Sequence, residues 1–268
     1  MPGPAPGTRV RLDQLVVDRG LARSRTEAQA LIMAGAVRLA DDPERRLSAG
    51  QRVATDISLV RDDGPRWASR GADKLVAALD AFGMAVTDLV CLDAGASTGG
   101  FTDVLLDRGA RRVYAVDVGH GQLLPRLADD ARVVVLDRTN LRTLDALPEP
   151  IDLATLDLSF ISLRLVLPAV RRLLAPAGRV VALVKPQFEA GREDVPRGGV
   201  VRDPEVHRRV LVRLAADAAS TGLVATRLVA SPRPGREGNR EFLALLEAGT
   251  APELHPAAWD EMVDSALA

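Results

Sequence analysis

The spacing of apolar residues divides the chain into two regions. Between residues 9 and 60, apolar positions recur at helical spacing and then give way to short apolar runs. This pattern predicts a small α/β unit with helices at Arg11–Arg19 and Arg25–Ala34. Short strands are predicted at Val37–Leu39, Val53–Ala54 and Ile57–Val60.

Beyond residue 70, apolar strands alternate with amphipathic helices. The predicted strands lie near residues 89–94, 111–117, 132–137, 152–157, 178–184, 223–230 and 240–246. The predicted helices lie near residues 72–83, 100–109, 121–128, 163–174 and 204–220. Such alternation predicts an α/β, Rossmann-like fold with a seven-stranded, mostly parallel sheet and helices on both faces. Ligands of these sheets bind beyond the carboxyl ends of the strands.

Turn-forming residues separate the two regions. The segment Asp62-Asp63-Gly64-Pro65 is rich in turn residues and marks a break. The predicted division is a disordered tail at 1–8, a small domain at 9–61, a linker at 62–70, a larger domain at 71–250 and a C-terminal extension at 251–268. We expect a short helix around Trp259 in the extension.

The composition argues against several protein classes. No apolar run reaches the ~18 residues of a membrane helix, and Met1–Gly7 lacks the pattern of a signal peptide. The single cysteine, Cys91, cannot form an intramolecular disulfide, which suits a reducing compartment. His120, His207 and His255 do not have metal-ligand spacing. We therefore predict a cytoplasmic protein without a membrane segment or a metal site.

Basic residues are unevenly distributed, although the net charge is −1. Residues 1–39 contain six arginines and three acidic residues, and this local excess fits a module that contacts phosphates. Of the 35 basic residues in the chain, only Lys74 and Lys185 are lysines. A buried lysine can lose its proton and an arginine cannot, so these two positions are candidates for chemistry.

A glycine-rich turn follows the first strand of the larger domain. Glycines at this point let a bound ligand approach the backbone closely. The candidate cofactor residues in this turn are Gly95, Ala96, Ser97, Thr98, Gly99, Gly100 and Phe101. Asp93 precedes the first glycine, where its carboxylate is predicted to meet a cationic group and would repel a pyrophosphate.

The next two strands also end in acidic residues. Asp117 is placed to accept hydrogen bonds from ribose hydroxyls, and Asp137, with Asn140 shortly after it, could meet an adenine edge. This arrangement fits either an NAD enzyme or a methyltransferase. The turn departs from G-x-G-x-x-G, and this difference weakens the NAD alternative.

Four polar residues are predicted to converge at the same edge of the sheet. Asp157 and Lys185 follow two apolar strands, Lys74 precedes the first strand, and Glu241 begins the last strand. If the last strand runs antiparallel, its start faces the same edge. Lys185 is the candidate general base, or it steers a substrate hydroxyl, and Lys74 and Glu241 position the ribose. The structural alternative is two ion pairs, Lys74 with Glu241 and Lys185 with Asp157.

The chain resembles the TlyA haemolysin/rRNA methyltransferase family, whose catalytic domain is related to FtsJ-type 2′-O-methyltransferases. The similarity extends from about residue 9 to 247. The matching segments are Arg11-Leu12-Asp13, Gly20–Arg25, Ser69–Leu75, Leu92–Thr102, Asp157–Ser162, Lys185–Glu189 and Gly198-Gly199-Val200. The Lys-Asp-Lys-Glu tetrad of the family falls on Lys74, Asp157, Lys185 and Glu241.

The resemblance implies a class I methyltransferase domain behind an S4-type RNA-binding domain. It implies S-adenosylmethionine as cofactor, with Asp157 among the residues around it, and cytidine 2′-hydroxyls of ribosomal RNA as substrate. Ribosomal RNA or ribosomal subunits would be the partners, and the S4-like module would contact RNA phosphates and sugars through Arg11, Arg23 and Arg25. The alternatives are an NAD-dependent oxidoreductase, a non-catalytic ribosome-assembly factor, and a pore-forming haemolysin. The last is disfavoured by the lack of a membrane segment.

Overall fold

The computed structural model describes residues 9–33, 36–42, 45, 47–61, 66–235, 238–248 and 256–268. The chain forms two compact units, an N-terminal unit of residues 1–66 and a C-terminal unit of residues 67–268. The predicted tail at 1–8 and the turn residues 62–65 lie outside the described residues.

The described residues of the N-terminal unit form two helices and two short antiparallel ribbons. Its elements are β1 (Arg9–Arg11), α1 (Leu12–Asp18), α2 (Arg25–Met33), β2 (Val37–Leu39), β3 (Arg52–Ala54) and β4 (Leu59–Arg61). Strand β1 pairs with β3, and β2 pairs with β4. The apolar faces of both helices meet in one core that includes Leu12, Val16 and Ile32. The sequence did not predict β1, because Arg11, its last residue, was assigned to the start of the first predicted helix.

The C-terminal unit contains a seven-stranded sheet. Its strands are β5 (Val90–Ala94), β6 (Arg112–Val116), β7 (Val133–Leu136), β8 (Ile151–Leu156), β9 (Leu174–Val184), β10 (Leu223–Ala230) and β11 (Phe242–Ala248). The order across the sheet is β10-β11-β9-β8-β5-β6-β7. Strands β5, β6, β7, β8 and β9 form a parallel group, in which each strand runs parallel to the ones beside it. Strand β11 is antiparallel to both β9 and β10. The predicted fold is confirmed.

Helices cover both faces of this sheet. They are α3 (Ala72–Phe82), α4 (Gly100–Asp107), α5 (Pro125–Ala128), α6 (Leu167–Leu173), α7 (Pro186–Glu189), α8 (Pro204–Ala219) and α9 (Pro256–Leu267). Successive strand residues point to opposite faces. In β5, Leu92 and Ala94 pack in the core beneath α6, α8 and α9, and Cys91 packs in the core beneath α3 and α4.

Some element bounds differ from the sequence prediction. The helix predicted at 121–128 is the single turn α5, because Pro125 begins it and the preceding residues form bends. The helix predicted at 163–174 is a 3-10 turn at Leu163–Leu165 followed by α6. Strand β9 has 11 residues and starts before the predicted residue 178. Strand β11 starts at Phe242, so Glu241 immediately precedes it.

Candidate active site

Two adjoining cavities open at the carboxyl ends of the parallel strands. The first has a volume of about 880 Å³ and the second about 460 Å³. Both are lined by Gly95, Ser97 and Asp157, so they meet at the ends of β5 and β8. This is the edge of the sheet at which the sequence predicted a ligand site.

The glycine turn after β5 packs tightly against its neighbours. Gly95 has a φ of +86°, and a Cβ placed on it would lie 2.4 Å from the backbone oxygen of Asp157. Of the predicted turn residues, Gly95, Ala96, Ser97, Thr98, Gly100 and Phe101 line the first cavity. Gly99 does not line it, and a Cβ there would lie 2.3 Å from Leu127. Gly99 also has a φ of +99°, so its backbone conformation and its close packing both favour glycine at this position.

Asp93 does not reach either cavity. Its side chain is fully buried, and its Oδ2 accepts hydrogen bonds from the Thr102 backbone N–H at 2.8 Å and from the Thr102 hydroxyl at 2.7 Å. The Thr155 hydroxyl lies 3.3 Å from its Oδ1. Burial raises the pKa of Asp93 to about 7. The predicted contact with a cationic ligand is contradicted, because this carboxylate instead ties β5 to the first turn of α4.

The acidic residues at the ends of β6 and β7 have different positions. Asp117 lines the second cavity, and its carboxylate accepts the backbone N–H groups of Ser97 at 2.8 Å and Gly119 at 2.7 Å. Asp137 lies outside the lining of both cavities. Its Oδ2 accepts the N–H of Gly121 at 2.8 Å and lies 2.8 Å from His120 Nδ1. The Gly121 N–H is the main cause of the lowered pKa of Asp137.

The second cavity combines polar and apolar walls. Asn140 lines it, and its side-chain oxygen accepts the N–H of Arg142. The apolar residues Val118, Leu141 and Ile161, which the sequence did not single out, also line this cavity. Val118 directly follows Asp117 and is 73% exposed, whereas Leu141 is buried and carries no such signal.

The four residues of the predicted tetrad form two ion pairs. Lys74 Nζ donates to Glu241 Oε2 at 2.5 Å, and Lys185 Nζ donates to Asp157 Oδ1 at 2.7 Å. Lys185 Nζ also donates to the Ser159 hydroxyl at 3.1 Å. Lys74 and Asp157 line the first cavity, whereas Lys185 and Glu241 are buried beside it.

The antiparallel last strand brings Glu241 to this site. Phe242 pairs with Val184 in the β9–β11 ladder, so Glu241 and Lys185 come next to each other at the same edge. Lys74 lies in the first turn of α3, and it reaches Glu241 across 167 positions of sequence. Strand β11 is antiparallel to β9, which is the condition under which its start reaches this edge.

Three consecutive side chains fasten the start of β11 to three segments. The buried Asn239 accepts the N–H of Val201 at 2.9 Å and donates to the carbonyl of Gly199 at 2.9 Å. Arg240 donates to the carbonyls of Leu267 and Ala266 at the end of α9, both at 2.8 Å. Glu241 pairs with Lys74 on α3. The position of Glu241 is therefore fixed from three directions.

The segment before α3 also contributes to the site. Residues 68–71 line the first cavity, and the Ala68 N–H donates to Asp103 Oδ2 at 2.8 Å. A Cβ on Gly100 would lie 2.1 Å from Ser69 Oγ, so this serine packs directly on the turn. Sequence reasoning assigned only Lys74 in this region.

These residues fit S-adenosylmethionine. Its charged methionine portion needs close backbone and polar groups, which the first cavity offers at Gly95 and Asp157. Its adenosine needs an apolar slot with polar edges, which the second cavity offers at Leu141, Ile161 and Asn140. Among the described residues there is no group of three or more histidine, cysteine, aspartate or glutamate side chains that could hold a metal ion.

The three candidate RNA contacts lie in the N-terminal unit. Arg11 and Arg25 both contact Asp13, and about half of each arginine side chain remains exposed. Arg23 is exposed, and its backbone N–H donates to Glu27.

Comparisons with known proteins match both units. Residues 67–248 match the FtsJ-like methyltransferase family, and residues 10–53 match the S4 domain. The chain is 47% identical to the 16S/23S rRNA (cytidine-2′-O)-methyltransferase TlyA of Mycobacterium tuberculosis, over 97% of each chain. It is 36% identical to Hemolysin A of Brachyspira hyodysenteriae, over 88% of this chain and 98% of that one.

A solved structure with a hemolysin name from Streptococcus thermophilus is also similar. It has a TM-score of 0.72 and 41% identity, and the match covers 98% of this chain and 96% of that one. The similarity and the cleft together define an S-adenosylmethionine-dependent methyltransferase of Rossmann-like fold. More particularly, the chain belongs to the FtsJ-like methyltransferase family, with an S4 domain preceding the catalytic domain.

The comparisons do not support an NAD-dependent oxidoreductase or a non-catalytic assembly factor. In the part of the chain that the structure describes, no helix is both long and apolar enough to span a bilayer.

Proposed function

We propose that this protein transfers the methyl group of S-adenosylmethionine to cytidine 2′-hydroxyls in ribosomal RNA, in the large subunit and also in the small one. The near full-length similarity to a 16S/23S rRNA (cytidine-2′-O)-methyltransferase supports this substrate. The observation that carries the proposal is the pair of lysine–carboxylate contacts beside a cavity with a glycine turn. Activity on ribosomal RNA implies a cytoplasmic location.

Lys185 is the residue closest to the proposed chemistry. Bound S-adenosylmethionine supplies an electrophilic methyl group on its sulfonium. Asp157 and the Ser159 hydroxyl hold the Lys185 amine at 2.7 and 3.1 Å, and the third N–H position of the ammonium has no hydrogen-bond partner among the described residues. From there Lys185 accepts the hydroxyl proton as a general base or, as an ammonium, fixes the attacking oxygen by donating to it.

Lys74 and Glu241 position the ribose in this mechanism. Glu241 is 3% exposed and holds the Lys74 amine, whose side chain is 12% exposed, at the wall of the first cavity. An amine fixed in this way loses little side-chain freedom when it binds a ribose oxygen. Positioning of this kind can supply much of the rate enhancement.

Phe160 is the proposed contact for the target base. Its side chain is 89% exposed, and its backbone has a φ of +63°, which an aromatic residue rarely adopts. The ring lies 5.1 Å from that of Phe188 and lines the second cavity. An exposed ring on a strained backbone points to a ligand, and cytosine stacks well on such a face.

The S4 domain supplies affinity for RNA. Arg11, Arg23 and Arg25 are proposed to contact phosphates and sugars, which fix the position of a folded RNA without reading its sequence. Ribosomal RNA or a ribosomal subunit is the proposed partner.

Methyl transfer to ribosomal RNA tests this function. Unmodified ribosomal RNA and isolated subunits would be incubated with the protein and labelled cofactor, and 2′-O-methyl positions would be mapped. We expect methylation at discrete cytidines and none with Lys185→Ala. Arg209→Ala, a surface variant that breaks the exposed ion pair with Asp194, is the matched control and should retain activity. Methylation of a base atom, or equal methylation by Lys185→Ala, would contradict the proposal.

A further inference from the structure

Two arginines of the N-terminal unit converge on one buried carboxylate. The Asp13 side chain is 0% exposed, and its Oδ2 accepts from Arg11 Nη2 at 2.9 Å and from Arg25 Nη2 at 3.1 Å. Arg11 Nε donates to Oδ1 at 3.1 Å, and Gln29 Nε2 donates to Oδ2 at 2.9 Å. The hydrogen bond from Arg11 is the largest cause that keeps the pKa of Asp13 well below its usual range.

The two guanidinium groups remain available to a ligand. The side chains of Arg11 and Arg25 are 47% and 51% exposed, although both contact Asp13. Both Nη2 atoms donate to Asp13 Oδ2, at 2.9 and 3.1 Å, so the distance between these two nitrogens cannot exceed the sum of those lengths. A guanidinium has five N–H donors, and Asp13 takes two from Arg11 and one from Arg25. The other donors make no hydrogen bond within the described part of the chain, so they can bind a second anion.

The adjacent ribbon adds further positive charge. Arg11 pairs with Arg52 in the β1–β3 ladder, and cross-strand partners project from the same face. Arg9 lies two residues before Arg11 and shares that face. Among the described residues, the side chains of Arg9 and Arg52 have no ion pair or hydrogen bond. Like charges placed opposite each other destabilise a ribbon, so this arrangement favours a bound polyanion.

We propose that Asp13 is a positioning residue that holds Arg11 and Arg25 together as one binding site for a single phosphodiester group of RNA. This inference rests on the proposed function, since RNA is the partner. Guanidinium groups bind phosphate through paired N–H donors, and two that are already fixed lose less conformational entropy on binding. Because Asp13 is buried, it holds the two arginines without itself meeting the phosphate.

A double-mutant cycle on the two arginines tests the shared site. RNA affinity of the full chain would be measured for wild type, Arg11→Gln, Arg25→Gln and the double variant over a range of salt concentrations. We expect each single variant to bind RNA about tenfold more weakly than the wild type. The double variant should bind less than about twentyfold more weakly, because each substitution removes the same phosphate contact. The slope of log Kd against log salt should fall by about 0.7–0.9 in all three. The inference would be overturned if the two substitutions acted independently. The double variant would then bind RNA about a hundredfold more weakly, and its salt slope would fall by twice as much as in a single variant.

Asp13→Asn tests the positioning role. This near-isosteric variant should weaken RNA binding by about tenfold, and adding Arg25→Gln should then have little further effect. Arg9→Gln is the matched control, because it removes a charge from the same face outside the Asp13 network, and its effect should multiply with that of Asp13→Asn. Unchanged RNA affinity in a folded Asp13→Asn protein would overturn the inference. If thermal unfolding shows that this variant is not folded, the arginine cycle alone decides.

Methyl transfer to the same RNA separates this inference from the proposed function. Coupled arginine effects without methyl transfer would contradict the proposed function alone. Methyl transfer with independent arginine effects would contradict the shared phosphate site alone. Cofactor binding by each preparation shows that its catalytic unit is intact.

Discussion

Lys74 on α3 and Glu241 at the start of β11 form a short ion pair, 2.5 Å between Nζ and Oε2, although 167 positions separate them in sequence. Both side chains are largely buried. The contact joins the helix that precedes the first strand of the sheet to the last strand. The contact therefore links the geometry of the active site to the packing of α3 against the start of β11.

The first prediction concerns this pair. Glu241→Gln should lower the free energy of unfolding by about 3 kcal/mol, because it leaves the Lys74 charge buried and unpaired, and it should reduce turnover at least tenfold. Denaturant unfolding and single-turnover methyl transfer would measure the two effects. The double variant Lys74→Met/Glu241→Met should recover most of the stability and none of the activity. Recovery of turnover in the double variant would show that the pair is only structural.

The second prediction concerns the glycine turn. Gly95→Ala should weaken cofactor binding severely, because the new Cβ would lie 2.4 Å from the backbone oxygen of Asp157 and displace it. Gly83→Ala is the matched control, since Gly83 also has positive φ but open space around it. Gly83→Ala should cost only about 1 kcal/mol of stability and leave the calorimetric Kd for S-adenosylmethionine unchanged. Equal affinity in both variants would mean that the turn does not shape the cofactor site.

The third prediction concerns pH. Burial raises the pKa of Asp93 to about 7 in the folded protein, whereas an unfolded aspartate titrates near 3.9. The folded state therefore binds more protons between these pH values, and the free energy of unfolding should fall as pH rises from about 4 to 7. Asp93→Asn removes this contribution. The wild type should lose stability relative to this variant by about 1 kcal/mol per pH unit over that range, and then no more.

Denaturant unfolding of both proteins at several pH values measures this difference. A constant difference between wild type and Asp93→Asn from pH 4.5 to 7.5 would contradict it. Taking the difference matters, because the raised pKa of Glu189 adds a slope of the same sign and the lowered pKa of His207 adds a slope of the opposite sign in both proteins.

The fourth prediction concerns Phe160. Phe160→Gly should maintain or raise stability, because it relieves a backbone strain of about 1 kcal/mol and removes an exposed ring. It should also raise the KM for RNA or lower turnover, while cofactor affinity stays the same. Thermal unfolding and steady-state methylation would measure these changes. A variant that loses stability and keeps full activity would show that the ring serves packing against Phe188.

The sequence predicted the order of strands and helices in the C-terminal unit, because buried parallel strands are continuous apolar runs between helical patterns. It also predicted which polar residues lie at the carboxyl edge, since Asp157 and Lys185 directly follow such runs. It did not predict the direction of side chains. Asp93 lies within β5, opposite Ala115, whereas Asp117 follows the end of β6, and only Asp117 lines a cavity. Asp93 accepts hydrogen bonds from Thr102, and Asp117 accepts one from Ser97.

The sequence also did not predict strand β1 or the common partner of the candidate RNA-binding arginines. Strand β1 has three residues, and its pairing with β3 depends on the intervening chain. The arginines proposed as RNA contacts were predicted from the resemblance to S4-type modules together with the local excess of positive charge. Their common partner, Asp13, could not be identified, because side chains 12 positions apart meet only after α1 and α2 pack.

The contacts that hold Asn239, Arg240 and Glu241 to three segments limit the changes that the C-terminal helix α9 can tolerate. Arg240 holds the last carbonyls of α9, and the next residue is the partner of Lys74. A deletion, fusion or tilt that moves the end of α9 thus acts one peptide bond away from the active-site edge. Tolerance of surface changes in that helix should fall sharply towards Leu267, although its side chains never approach the cofactor cleft.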